Sequence, residues 1–159
     1  MIHIIPILKD NYAYILEGTN KDCVIIDPGE SDPVTKFIDR YTLRPVAVLN
    51  THHHGDHVAG NANLKKRYNI PVIGPDAERS KISGMDRGVK DGDTLTICGI
   101  DLFVIATSGH TMGHVVFYAP REKALFTGDT LFSLGCGRLM EGHADDMFTS
   151  LQKIKTLPA

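Results

Sequence analysis

Short apolar runs divided by turn-forming pairs open the chain. Ile4 to Leu8, Ala13 to Glu17 and Cys23 to Asp27 are separated at Asp10-Asn11 and Thr19-Asn20, and they predict three strands of a meander. Asp27-Pro28-Gly29 closes the third. Ser31 then reads as an N-cap with Pro33 in the first turn, and Val34, Phe37, Ile38 and Tyr41 recur at helical spacing. Val46 to Asn50 predicts a buried strand that runs into Thr51-His52-His53-His54-Gly55-Asp56-His57. A weaker helix is expected from about Val58 to Tyr68, and a short strand over Pro71 to Gly74.

The polar, glycine-punctuated stretch Asp76 to Gly92 reads as a loop. Thr94 to Cys98 and Leu102 to Thr107 predict strands joined at Gly99, followed by strands over Val115 to Ala119 and Ala124 to Thr127. Ser133 to Gly142 is an ordered loop in this reading. A final helix over Asp145 to Leu157 carries Met147, Leu151 and Ile154 on one stripe. Strands outnumber helices and the helices fall between groups of strands. The pattern predicts an α/β (α+β) fold of two sheets covered by helices, with no solenoid repeat or low-complexity linker.

Length and composition narrow the function classes. A chain of 159 residues suits a single domain, here taken as 1–159. A net charge of -2 argues against nucleic acid or an anionic membrane as partner. No apolar run is long enough to span a bilayer, and the first residues lack signal-peptide zoning. Three scattered cysteines, Cys23, Cys98 and Cys136, fit free thiols, so the expected compartment is the cytoplasm.

The candidate chemistry lies at strand ends. His52, His54 and Asp56 alternate, so in an extended segment their side chains converge while His53 points elsewhere, and His57 opens the next helix. Burying three imidazoles and a carboxylate is costly without a cation, and a divalent metal resolves that cost. Gly109 permits a tight turn presenting His110, and Phe126-Thr127-Gly128-Asp129 ends another strand in a carboxylate.

The three segments resemble those of the metallo-β-lactamase-fold hydrolases. Within that superfamily, Leu131 to Gly142, with Asp10-Asn11-Tyr12 and Ile26-Asp27-Pro28-Gly29, is similar to glyoxalase II, the hydroxyacylglutathione hydrolases. The resemblance implies an αββα sandwich of two mixed sheets. It also implies two divalent ions, with zinc expected first and iron or manganese compatible. His52, His54 and His110 would bind one ion, Asp56 and His57 the other, and Asp129 would bridge them, making Asp56 and Asp129 the catalytic carboxylates. A metal-bound hydroxide would then cleave a glutathione thioester, S-lactoylglutathione, in methylglyoxal detoxification. Arg138 would contact the glutathione part. His114 is expected to pack behind the site, and His3, His53 and His143 to be structural or surface residues.

The chain departs from that pattern in three places. Ser108 stands where proline is common, and Met140 where an aromatic helps hold glutathione. The chain given stops at Ala159, where the family continues with a strand supplying the last histidine of the second site and a helical substrate-binding domain. That difference implies an incomplete second site, and a sheet edge and apolar surface that a homo-oligomer would cover. A metal-binding homologue of low turnover, another thioesterase and a one-iron sulfur-oxidising relative therefore stay open, with Gly128 to Phe132 and Glu141-Gly142 favouring glyoxalase II.

Overall fold

The computed structural model describes residues 1–158. The first sheet runs in the order β1 (Ile2–Ile7), β2 (Asn11–Glu17), β3 (Asp22–Ile26), β4 (Arg44–Leu49), β5 (Val72–Pro75), β6 (Arg87–Val89). The β1–β2–β3 pairings are antiparallel, and β3 through β6 are parallel. The second sheet is antiparallel, in the order β10 (Ala124–Phe126), β9 (Val115–Ala119), β8 (Ile100–Ala106), β7 (Thr94–Ile97). The expected sandwich is thus present as one mixed and one antiparallel sheet.

Alternation along the inner strands explains the layering. Leu16, Val24, Ile26, Leu49 and Ile73 face the second sheet and pack with Leu102, Val104, Phe117 and Phe126. Their neighbours Ile15, Ile25, Val48 and Val72 face the other way, into a cluster with Val34 and Ile38 of helix α1 (Ser31–Tyr41) and Leu64 of α3 (Asn61–Tyr68). Strands apolar on both faces require cover on both faces, which is what parallel pairing with helical crossovers supplies. Helix α4 (Ala144–Lys155) covers the second sheet, with Met147 buried, Ser150 Oγ donating to Ser108 O at 2.7 Å and Lys153 Nζ to Ala106 O at 2.9 Å.

Several expectations need correction. Glu30, not Ser31, occupies the N-cap of α1; Ser31 is the first helical residue, and its Oγ accepts from Asn63 Nδ2 at 3.1 Å. Tyr41, on the expected apolar stripe, is 46% exposed; its ring stacks with that of His3 and lies tilted against Phe37. The helix expected over 58–68 begins only at Asn61 as α3, and a separate short helix, α2 (Gly55–Val58), takes in Asp56 and His57, so Asp56 is not on the extended segment expected for it. The interruption between α2 and α3 falls at Gly60, whose N–H leaves the helical ladder to donate to Pro28 O at 2.8 Å. The segment 76–92 is not all loop: Asp76–Glu78 forms a 3₁₀ turn and β6 adds a parallel edge to β5. Three residues are too few to show a period, so only pairing with β5 reveals that strand.

The three cysteines are free. Burial pushes the Cys23 thiol up to about 12 and that of half-buried Cys98 to about 11, whereas Cys136 is exposed. The thiolate is the reactive form, so at pH 8 an alkylating reagent should label Cys136 and leave Cys23 untouched in the folded chain. Peptide mapping after labelling checks this, and modification of Cys23 at a rate near that of Cys136 would contradict it. No helix among the described residues is long and apolar enough to cross a membrane.

Candidate metal centre

The candidate ligands follow the ends of three strands that point to one edge of the sandwich. Thr51 to His54 follow β4, Thr107 to His110 follow β8, and Thr127 to Asp129 follow β10. The two sheets are tied together at this edge, where Val115 N–H donates to Thr51 O at 2.9 Å. Gly128 adopts φ +47, and a Cβ there would lie 2.7 Å from His114 Nε2, so only glycine lets the Asp129 turn come this close.

Two ligand groups result. One nitrogen each of His52, His54 and His110 forms the first, and His52, His57 and Asp129 form the second, with all ligand atoms of a group within 4.8 Å of one another. His54 Nδ1 and His110 Nε2 lie 2.8 Å apart. Asp129 stands between the groups, its Oδ1 3.2 Å from His57 Nε2 and its Oδ2 3.2 Å from His110 Nε2. Asp56, with its carboxylate half exposed, reaches to 3.6 Å from His57 Nε2. Every expected ligand lies at this edge, but Asp56 belongs to neither ligand group, and His52 stands with His57 and Asp129 in the second.

Arg138 arrives differently. Its side chain is exposed and makes no ion pair among the described residues, whereas its backbone carbonyl lies 2.6 Å from His110 Nδ1. That carbonyl can only accept, so Nδ1 carries the proton and the Nε2 lone pair of His110 faces the site.

A relay of the same kind sets His52. Thr51 Oγ1 donates to Asp27 Oδ2 at 2.7 Å and is left to accept from His52 Nδ1 at 3.1 Å. His52 Nε2 is then a lone pair, fully buried and with no hydrogen-bond partner. Burial, reinforced by the surrounding imidazoles, drives the His52 pKa far down, so the ring is neutral. A buried, unpartnered, neutral imidazole nitrogen aimed among other donors fits a divalent cation, and the outer partners are of the kind that orient metal-bound histidines. The donor set, nitrogen with carboxylate oxygen and no thiolate, suits zinc, iron or manganese alike.

His57 has the opposite electrostatics. Burial disfavours its cation, but Asp27 and Asp129 outweigh that cost and raise it to about 10. Its Nδ1 lies 3.1 Å from Asp27 Oδ2, close enough for an ion pair but poorly directed for a hydrogen bond. Burial likewise opposes ionisation of Asp129, yet the adjacent His57 holds its pKa below the usual carboxylate value. His114 is fully buried, with its pKa pushed down to about 3 chiefly by burial; Nε2 accepts from Asp129 N at 3.2 Å, and Nδ1 lies 2.9 Å from Thr107 Oγ1. His143 caps α4, completing a capping box with Asp146. Both expected supporting roles are thus observed.

Sequence reasoning assigned no role to three supporting residues, although two of them, Asn11 and Asp27, lie in segments that carry the family resemblance. The buried carboxylate of Asp27 accepts from Thr51 N–H at 2.8 Å as well as from Thr51 Oγ1. Asn11 Nδ2 donates to both Asp56 O and Asp56 Oδ2, at 3.1 Å each. Glu78 lay in the segment taken as loop. A signal existed for Asp27, an acid that closes an all-apolar strand, but none for Glu78.

The chain matches the metallo-beta-lactamase superfamily over residues 8–159. It is 47% identical over 155 residues to a hydroxyacylglutathione hydrolase of Yersinia pestis (strain Pestoides F), which covers 97% of this chain and 60% of that protein. A hydroxyacylglutathione hydrolase of Serratia proteamaculans is 46% identical over the same shares. The chain therefore spans 60% of the length of these curated relatives. Among solved structures, BLEG-1 B3 metallo-beta-lactamase superposes with a TM-score of 0.91 at 31% identity, over 99% of this chain and 87% of that one. TTHA1623 in a di-iron-bound form gives 0.81 at 30% identity, over 97% and 86%.

Proposed function

Because the chain belongs to the metallo-beta-lactamase superfamily, we propose that it is a metal-dependent hydrolase of glutathione thioesters, with S-lactoylglutathione as the reference substrate. The observation that carries this reading is the pair of ligand groups sharing His52, in a chain 47% identical to hydroxyacylglutathione hydrolases. His52, His54 and His110 hold the first ion, Asp56 and His57 the second, and Asp129 lies between them. Zinc is the first assignment, with iron or manganese compatible with the same donors.

When bound, two such ions supply a water acidic enough to be deprotonated near neutral pH and a Lewis acid for the thioester carbonyl. The chain's own residues do the rest. Thr51 and the Arg138 carbonyl hold His52 and His110 in the tautomers that present Nε2. Asn11 fixes the otherwise exposed Asp56 carboxylate. A cavity of about 380 Å³ beside His57 and Asp129 takes the acyl group, with Tyr12, Tyr14, Leu131 and Phe132 in its wall. A thiolate leaves readily, so the reaction needs little help from a general acid. The free Arg138 guanidinium pairs with a glutathione carboxylate.

Steady-state assays with S-lactoylglutathione and with an acyl thioester of a simple thiol test the reading. The glutathione ester should give the higher kcat/KM, and equal values would overturn the substrate assignment. Arg138→Ala keeps the carbonyl that holds His110, so KM should rise about 10–150-fold with kcat little changed, because one charge-assisted hydrogen bond contributes about 1.5–3 kcal/mol.

A further inference from the structure

Glu78 stands behind the metal centre, on the 3₁₀ turn that follows β5, and is 1% exposed. Both its oxygens are engaged, and by two different segments. Oε2 lies 2.9 Å from His53 Nδ1, between the candidate ligands His52 and His54. Oε1 accepts from Thr111 Oγ1, next to the ligand His110, and from Gly113 N–H at 3.2 Å. Gly113 has no side chain, and a Cβ there would collide with Glu78 Cγ.

We infer that Glu78 is a positioning residue for the first metal site, a single buried carboxylate that holds the His52–His54 segment against the His110 segment. This rests on the reading of His52, His54 and His110 as metal ligands. The first ligand group draws two nitrogens from one loop and one from another, and these loops follow strands of different sheets. Sheet pairing alone sets the strands, not the last residues beyond them. His53 belongs to neither ligand group, and its ring turns to Glu78 instead. Glu141 reinforces the arrangement from the other side. Its Oε2 accepts from Met112 N at 2.9 Å, its Oε1 accepts from Lys81 Nζ at 2.6 Å, and the carboxylate comes within 3.7 Å of His53 Nε2. Both loops are therefore held by the same two carboxylates, neither of which belongs to a ligand group. Ligands held in place before the ion arrives bind more tightly than ligands that must be ordered by it.

Chelator-competition titration with zinc, on the whole chain and on Glu78→Ala and Glu78→Gln, tests this. Urea unfolding of the metal-stripped proteins runs alongside. Glu78→Ala should weaken the tighter zinc site about 10–100-fold, the scale of outer-partner removal. Glu78→Gln keeps an accepting oxygen for one segment, so its loss should be intermediate. A residue that serves only the fold would lower the unfolding midpoint and leave the zinc affinity of the folded protein unchanged. Variants that fold and bind zinc within about twofold of the unsubstituted chain would therefore overturn the inference. If Glu78→Ala does not fold, Glu78→Gln decides by the same measure, and failure of both to fold also overturns it. An unsubstituted chain that binds no zinc would instead defeat the reading of the ligands themselves.

Discussion

Replacing His54 with alanine is expected to lower affinity at the first metal site by more than about 100-fold, since even an outer partner of a ligand contributes about 10–100-fold. His54 Nδ1 points at His110 Nε2 across 2.8 Å, and no other side chain in the first ligand group can take its place. Hydrolysis should fall with the metal. If the substitution removes roughly 4 kcal/mol of transition-state stabilisation, the rate drops about 10³-fold. The loss should be mainly of function, because His54 is partly exposed and lies outside both hydrophobic clusters. Elemental analysis, chelator competition and a urea titration of the same preparation check the three parts. A His54→Ala protein that keeps its metal and its rate would refute the assignment of this site.

Asp27→Ala should produce the largest loss of stability among the site substitutions, about 2–5 kcal/mol in the metal-free chain. The carboxylate is 2% exposed and accepts from both Thr51 N–H and Thr51 Oγ1, while His57 Nδ1 sits 3.1 Å away. Its removal strands two buried donors and leaves the His57 cation without one of its two carboxylate neighbours. It also breaks the relay that sets the His52 tautomer, so metal affinity should fall as well. Asp27→Asn keeps an accepting oxygen for Thr51 N–H, and its cost should be the smaller. Urea midpoints for the two variants check the order, and an Asp27→Ala protein as stable as the unsubstituted chain would show that Thr51 and His57 find other partners.

The ligand loops were legible because their signals are local. A histidine-rich stretch after a buried strand marked the first loop, although Asp56 reaches the site from α2 and not by the strand alternation expected of it. Gly109 marked the turn before His110, and Asp129 closed a short apolar strand. Most strands of both sheets were legible for a similar reason, a short apolar run bounded by turn residues. The supporting network was not. Glu78 is remote in sequence from His53 and Thr111, and nothing in a polar segment distinguishes a carboxylate that will be buried from one left in water. Arg138 was legible as a cation near the site, yet the atom that reaches His110 is its carbonyl, which every residue carries.

The sequence by itself determined the layered fold and which residues are candidate ligands, because apolar period, turn chemistry and side-chain identity are properties of short stretches. Only the tertiary structure decided how those ligands are presented. The tautomers of His52 and His110, the placement of Asp129 between two ligand groups, and the bracing of both loops by Glu78 depend on partners from other strands. A hydrogen bond at about 3 Å between distant segments is set by how the sheets pack, and packing is a property of the whole chain.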